Sequence, residues 1–228
     1  MAIYPSITST VPGRWQTQLQ EIKELGIKEF CLFPTAMDQM EREEMYRELR
    51  KLKIKRIPLI HLKSEMEKGE VKYLKENFPV EVFNIHITGN YPNKNDYGEY
   101  KKDVFVENLG DELDEEIIKD YGGMCLDLAH LENNRLSGKN QVYQQNLALM
   151  KTYKIGVDHI NSIKKELVWD RSRRWQSYES HSYLELSEFD FVVNYREFIS
   201  EIVALELENS IEEQLVAKEY VEKLLAGR

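Results

Sequence analysis

The chain has 228 residues, 31% of them charged and 42% hydrophobic, with 11 Gly and 6 Pro. That length holds one large core and suits one domain over residues 1–228, towards the lower end of the α/β barrel range, and the composition gives no reason to expect disorder. A formal net charge of −9 argues against nucleic-acid binding through the whole surface, because neutralising phosphates takes Lys and Arg, while leaving a local basic face open.

No apolar run approaches the roughly 18 residues that a membrane helix needs, and the opening MAIYPSITST lacks a basic segment followed by an apolar one. A soluble, cytoplasmic protein without a membrane partner is expected. Cys31 and Cys125 fall in apolar, strand-like runs, so they read as small buried thiols of a reducing compartment and not as a disulfide framework.

In chain order, short β-branched or aromatic runs alternate with longer stretches of helical period. The alternation predicts parallel strands at 3–8, 29–33, 55–61, 80–88, 104–109, 123–127, 156–160 and 202–208. Eight such strands predict an α/β fold, a single (β/α)8 TIM barrel. Outer helices are predicted at 15–25, with Leu19, Ile22 and Leu25 on one face, and at 38–52, with Met45, Leu49 and Leu52 on one face. Further helices are predicted at 64–77, 111–120, 139–153, 187–199 and 210–225, with capping-box spacing at Ser187/Asp190 and Ser210/Glu213. Residues 90–102, NYPNKNDYGEYKK, are too rich in turn formers for a full helix, so one outer helix is expected to be reduced. The stretch 164–186 is long for a connection in a compact domain, and such loops often carry function.

Active sites of these barrels are assembled at the C-terminal ends of the strands. His61 closes the third predicted strand, His86 and Glu107 fall late in the fourth and fifth, and Asp127 ends the sixth with His130 just beyond. His159 ends the seventh, Glu208 ends the eighth, and His181 lies in the long connection. Neutral imidazole and ionised carboxylate are the ligands that zinc, manganese and similar ions take, at about 2.0–2.2 Å. One strand-end histidine alone is more often a hydrogen-bonded structural residue. All five histidines of the chain on one rim, together with several acids, exceed the needs of one ion and suggest two or three. Arg171, Arg173, Arg174 and Trp175 of the basic and aromatic segment WDRSRRWQSY, with Arg14 and Trp15 beyond the first strand, are candidate substrate-binding residues for phosphates and unstacked bases. An exposed loop accounts for the segment equally well.

MCLDLAH at 124–130 resembles the sixth-strand D-x-x-H signature of the endonuclease IV family, within the xylose isomerase-like barrel superfamily. FVEN at 105–108 resembles its strand-five E-N, HIN at 159–161 its strand-seven H-L-N and LEN at 207–209 its strand-eight L-E-T. ESH at 179–181 resembles its D-R-H with Glu for Asp, and His61 and His86 correspond to its strand-three and strand-four histidines. The resemblance implies a three-zinc site: His61, His86 and Glu107 on one ion; Glu107, Asp127, His159 and Glu208 on a second; His130, Glu179 and His181 on a third. ITST at 7–10 differs from the family's Gly-x-His-x-Ser, and the loops that grip DNA are trimmed.

The function expected from that resemblance is metal-dependent phosphodiester hydrolysis, with Glu107 as bridge and Glu208 orienting or deprotonating water, on abasic-site DNA or a related phosphate ester. The alternative is a sugar or sugar-phosphate isomerase or epimerase of the same superfamily. It would hold one Mn2+ or Mg2+ through Glu107, Asp127, His159 and Glu208, with Glu107 and Glu208 moving protons on a small sugar. A third possibility, a binding or scaffold protein that keeps the site without turnover, follows from the shortened loops.

Overall fold

The computed structural model describes residues 1–89, 92, 95–170 and 175–227, with the backbone alone described at Asp170 and Trp175. Its strands are β1 (Ala2–Tyr4), β2 (Ser6–Thr8), β3 (Cys31–Phe33), β4 (Ile57–Leu62), β5 (Val80–Ile85), β6 (Val104–Glu107), β7 (Met124–Asp127), β8 (Ile155–Ile160), β9 (Ser162–Asp170), β10 (Trp175–Ser180) and β11 (Ile202–Leu205). All but β9 and β10 form one parallel sheet in the order β1-β11-β8-β7-β6-β5-β4-β3-β2. The first predicted strand is thus two short ones, split at Pro5, which has no N–H to give a ladder. β1 pairs with β11 and β2 with β3, while the Pro5 carbonyl accepts from the Cys31 amide at 2.9 Å. One interrupted strand therefore reaches both neighbours and closes a TIM barrel.

The core has two parts. Inside the barrel, Tyr4, Phe33, Leu59, Phe105, Cys125, Val157 and Ala204 pack together. Between sheet and helices lies a larger cluster that includes Ile7, Leu32, Ile60, Phe83, Leu126 and Val203. Alternate residues of each strand serve the two parts, which explains why strands such as Ile57–Leu62 are buried throughout.

The outer ring comprises α1 (Arg14–Glu24), α2 (Gln39–Leu49), α3 (Lys68–Asn77), α4 (Glu115–Asp120), α5 (Leu128–Leu136), α6 (Asn140–Thr152) and α7 (Ile211–Leu225). Asp38 and Glu41 form a full capping box on α2, and Ser210 and Glu213 form the expected one on α7. Between β5 and β6 the described residues form only the 3-10 turn Gly98–Asp103, the reduced element anticipated from its turn residues.

Three expectations need revision. Residues Leu186–Phe198 wind as 3-10 helix without a Ser187 cap, and Asp190 instead accepts from the Tyr220 hydroxyl. Phe189, Val192 and Tyr195 are buried at intervals of three, the period at which 3-10 side chains eclipse into one row. The long connection after β8 is an antiparallel hairpin, β9 with β10, bulged between Ser177 and Glu179. Leu25, expected on the apolar face of α1, caps that helix and is exposed. No helix among the described residues is long and apolar enough to cross a membrane.

Candidate metal centre

The period of two along each strand builds the site. Leu59, Phe105, Cys125, Val157 and Ala204 fill the barrel interior, and two residues further along their chains are His61, Glu107, Asp127, His159 and Glu206. These five form a polar layer directly above the apolar one. All five are buried, and Phe33 seals the layer from below with its ring edge-on to His159 at 4.9 Å between centroids. His86 follows β5, one pleat above Asn84, and is the most open of the ligand-type histidines at 25% exposure. His130 sits in the first turn of α5, whose N-cap Asp127 accepts from the His130 amide at 2.7 Å.

The tightest group is His61, His86 and Glu107. The two Nε2 atoms are 3.1 Å apart, and each lies 3.0 Å from a Glu107 carboxylate oxygen. Ligands at about 2.0–2.1 Å around a tetrahedral ion stand roughly 3.3 Å from one another; the 3.1 Å between the two Nε2 atoms has that size, with Glu107 meeting His61 through Oε2 and His86 through Oε1. The ring orientations agree, since His61 Nδ1 is 2.8 Å from the Leu62 carbonyl. Donation there assigns the proton to Nδ1 and leaves the Nε2 lone pair for a cation.

Around the second position, His159 Nδ1 is 3.5 Å from Glu107, 3.7 Å from Glu206 and 4.0 Å from Asp127. Its Nε2 lies 3.3 Å from Cys125 Sγ, so Nδ1 is the atom turned inward. Among the described residues, the buried His159 Nδ1 and Asp127 Oδ2 have no hydrogen-bond partner. Buried polar atoms are costly without a partner, and a divalent cation is a partner that this donor set fits. The third group is looser. Glu179 Oε1 is 3.2 Å from His130 Nε2 and 3.9 Å from His181 Nε2, and His181 is 3.6 Å from Glu206. His130 Nδ1 lies 3.0 Å from the Asn108 carbonyl, so its Nε2 is turned to Glu179.

A shell of amides fixes these groups. Asn84 donates to Glu107 at 2.5 Å, and Asn161 donates to Glu179 at 3.3 Å. Asn108 brackets the Asp127 backbone with two bonds of 2.8 and 2.9 Å. Such outer partners orient ligands in metal sites.

Crowding sets the protonation of the cluster. Burial works to raise Glu107, but electrostatic interaction with His86, His159 and His61 and a hydrogen bond from His130 outweigh it and hold the carboxyl well below its ordinary value. Burial pushes Asp127 up to about 7 against the pull of His130, with Glu179 and Glu107 adding repulsion. Burial and the charges of Glu107 and Asp127 also raise Glu206 well above the usual range. His159 is lowered to about 3 by burial, partly offset by Glu107, and burial lowers His86 as well. Burial opposes the charge on His130, yet Asp127 and Glu179 raise it well above normal. Divalent cations would relieve the carboxylate repulsion directly.

The structure brings His61, His86, Glu107, Asp127, His130, His159, Glu179 and His181 together and moves the last strand's carboxylate to a different residue. Glu206, not Glu208, completes the group with Asp127 and His159. Glu208 stands higher on the rim, where its carboxylate accepts from Thr10 and, at 3.4 Å, from Ser182. The two glutamates share parity, so alternation could not separate them; depth does, because Ala204 is in register with His159. The ambiguous LELE at 205–208 matches a short L-E motif twice. Cys125, which touches His159, also lay outside the sequence-based set.

The expected substrate-binding residues divide. Trp15 is 4% exposed and packs in the main core, which corrects its placement on the rim. It stands in α1, where the apolar stripe at Trp15, Leu19 and Ile22 turns it inward. Arg14 opens α1 and is half-buried. Arg171, Arg173 and Arg174, and the side chain of Trp175, lie outside the described residues.

No family model matches the chain, and no curated protein matches it. Solved structures similar along nearly its whole length include a D-tagatose 3-epimerase-like protein, 12% identical, with a TM-score of 0.50 and coverage of 98% of this chain and 97% of that one. A xylose isomerase-like TIM barrel protein from Mycobacterium smegmatis in complex with magnesium is 16% identical, with a TM-score of 0.48 and coverage of 99% and 97%. A xylose isomerase domain containing protein from Salmonella typhimurium is 12% identical, with a TM-score of 0.48 and coverage of 98% and 96%. What this chain shares with the epimerase-like protein is the barrel fold.

Proposed function

We propose that the protein is a metal-dependent hydrolase of phosphate esters, with two or three divalent ions, zinc foremost, held in the barrel mouth. The observation that carries this reading is the surplus of converging ligands. The group of His61, His86 and Glu107, with its two Nε2 atoms 3.1 Å apart and each 3.0 Å from one of the Glu107 oxygens, stands beside a second group at Asp127, His159 and Glu206. Glu107 meets His86 through Oε1 and both His61 and His159 through Oε2, and would bridge the two groups.

Such ions would supply Lewis-acid polarisation of a phosphoryl oxygen and activation of a water. The chain's own residues would hold the geometry. His61 and His130 are oriented by backbone carbonyls, and Asn84 keeps the bridging carboxylate in place. Glu208, on the rim beside His181 through a 2.6 Å backbone bond, is suited to accept a proton from the attacking water. DNA with an abasic site is one candidate substrate, and the likeness of MCLDLAH, FVEN and HIN to endonuclease IV motifs supports it.

A second reading has its own observation. Glu107, Asp127, His159 and Glu206 by themselves make the four-ligand set that one Mn2+ or Mg2+ needs, with Glu107 and Glu206 flanking a small sugar in an isomerase or epimerase. It leaves the His61–His86 pair and the Glu179–His181 pair without a task. Metal analysis of purified protein separates the two. Two or three zinc ions per chain, with cleavage of bis(p-nitrophenyl) phosphate or of an abasic-site oligonucleotide, support the hydrolase; one manganese or magnesium without phosphodiesterase activity rejects it.

A further inference from the structure

Beside the His61–His86 face a cavity of about 180 Å3 opens between the loops that follow β3 and β4, lined by Thr35, His61, Leu62, Lys63, Ser64 and His86. It is smaller than the roughly 300–1,000 Å3 of a pocket for a drug-sized ligand. A single tetrahedral oxyanion is the class of group that suits its size and lining: one ammonium, two hydroxyls, and the histidines of the metal face.

Lys63 is held in place there. Its Nζ donates to the Met37 carbonyl at 2.6 Å and to Glu65 at 3.1 Å, which leaves one of the ammonium's three donors for a ligand. Both of these acceptors are themselves fixed by Arg42, which is 2% exposed and donates to the Met37 carbonyl at 3.1 Å and to Glu65 at 2.8 Å. Arg42 is anchored in turn by a two-pronged pair with Glu70 at 2.8 and 3.0 Å. The Glu65 carboxylate is thus divided between a guanidinium and the ammonium, and at 54% exposure it is screened by water, so it does not cancel the charge of Lys63. A lysine whose rotamer is already set loses less freedom when it meets an anion.

We infer that this cavity is an oxyanion subsite that receives a phosphate group of the substrate, with Lys63 as the residue that recognises its charge. The inference rests on the reading of the centre as one that acts on phosphate esters, and it narrows that class to substrates placing a phosphate beside the His61–His86 ion. Arg42 acts as a positioning residue for Lys63.

The test is a calorimetric titration of inorganic phosphate into zinc-loaded, desalted wild-type protein, Lys63→Met and Lys63→Arg, with zinc content measured on the same samples. Phosphate should bind the wild type, bind Lys63→Met about tenfold or more weakly, as loss of a charge-assisted contact implies, and bind Lys63→Arg within about threefold of wild type. Zinc content should be the same in all three. Phosphate binding that is unchanged in Lys63→Met, or absent from the wild type, overturns the subsite. The wild-type zinc content separately tests the hydrolase reading, which fails below two ions whatever the phosphate titration shows.

Discussion

At the scale of single residues, the pleat of the last strand decides which carboxylate joins the buried cluster. Glu206 continues the β11 ladder through its amide to the Ile160 carbonyl at 3.0 Å, one residue beyond the Leu205–Ile160 pair, and its carboxylate comes within 3.7 Å of His159 Nδ1. Glu206→Gln should therefore reduce the zinc content by about one ion, whereas Glu208→Gln should keep the metal and lower turnover; atomic absorption with steady-state kinetics on both variants checks this. Equal metal loss in the two variants would refute the assignment. Trp15 carries the opposite lesson. Its indole is core, so Trp15→Ala should cost about 3–5 kcal/mol in urea unfolding, with no direct effect on substrate affinity.

At the scale of elements, local chemistry and tertiary packing divide the work. The capping boxes at Asp38/Glu41 and Ser210/Glu213 satisfy amides within one turn of the chain, and Ser210→Ala should cost about 1 kcal/mol by thermal or chemical denaturation. The segment at Leu186–Phe198 follows packing instead, because Phe189, Val192 and Tyr195 form one buried row at intervals of three and the segment packs on α7. Strand entry is also sensitive. Gly123 has φ 128° and a Cβ there would lie 2.2 Å from the Lys154 carbonyl oxygen, the atom that accepts the first β7–β8 bond from Met124 at 2.8 Å. Gly123→Ala should destabilise by at least about 1–3 kcal/mol, measured as a shift in urea midpoint; a midpoint within experimental error of wild type would contradict the close approach.

At the scale of the whole molecule, the barrel gathers four buried carboxylates, Glu107, Asp127, Glu179 and Glu206, at one end. Cations that bind this folded array and not the unfolded chain stabilise it by linkage, about 2.7 kcal/mol for a ligand at a hundred times its Kd. Chelation should thus lower the melting temperature measurably, and zinc should restore it; a melting temperature indifferent to chelator would argue against the centre. At the opposite extreme, burial raises the Cys31 thiol far above its ordinary range, so native protein should leave Cys31 unmodified by a thiol reagent such as DTNB until it is unfolded.

The fold was legible because its signal is periodic and local. Strand runs and amphipathic helices recur along the chain, Pro and Gly mark their ends, and eight repeats admit few closed architectures. Most of the cluster was legible for the same reason, since a residue at a strand's C-terminal end is on the rim whatever the other strands do. The His61, Glu107, Asp127 and His159 positions needed only that. Tertiary structure decided what depends on depth and on contacts between distant segments: Glu206 over Glu208, the pairing of Cys125 with His159, the burial of Trp15, the hairpin that brings in Glu179, and the cavity behind Lys63. Parity along a strand repeats every two residues and cannot fix height above the core. Only the stagger between neighbouring strands sets that height, and it comes into being when the barrel closes.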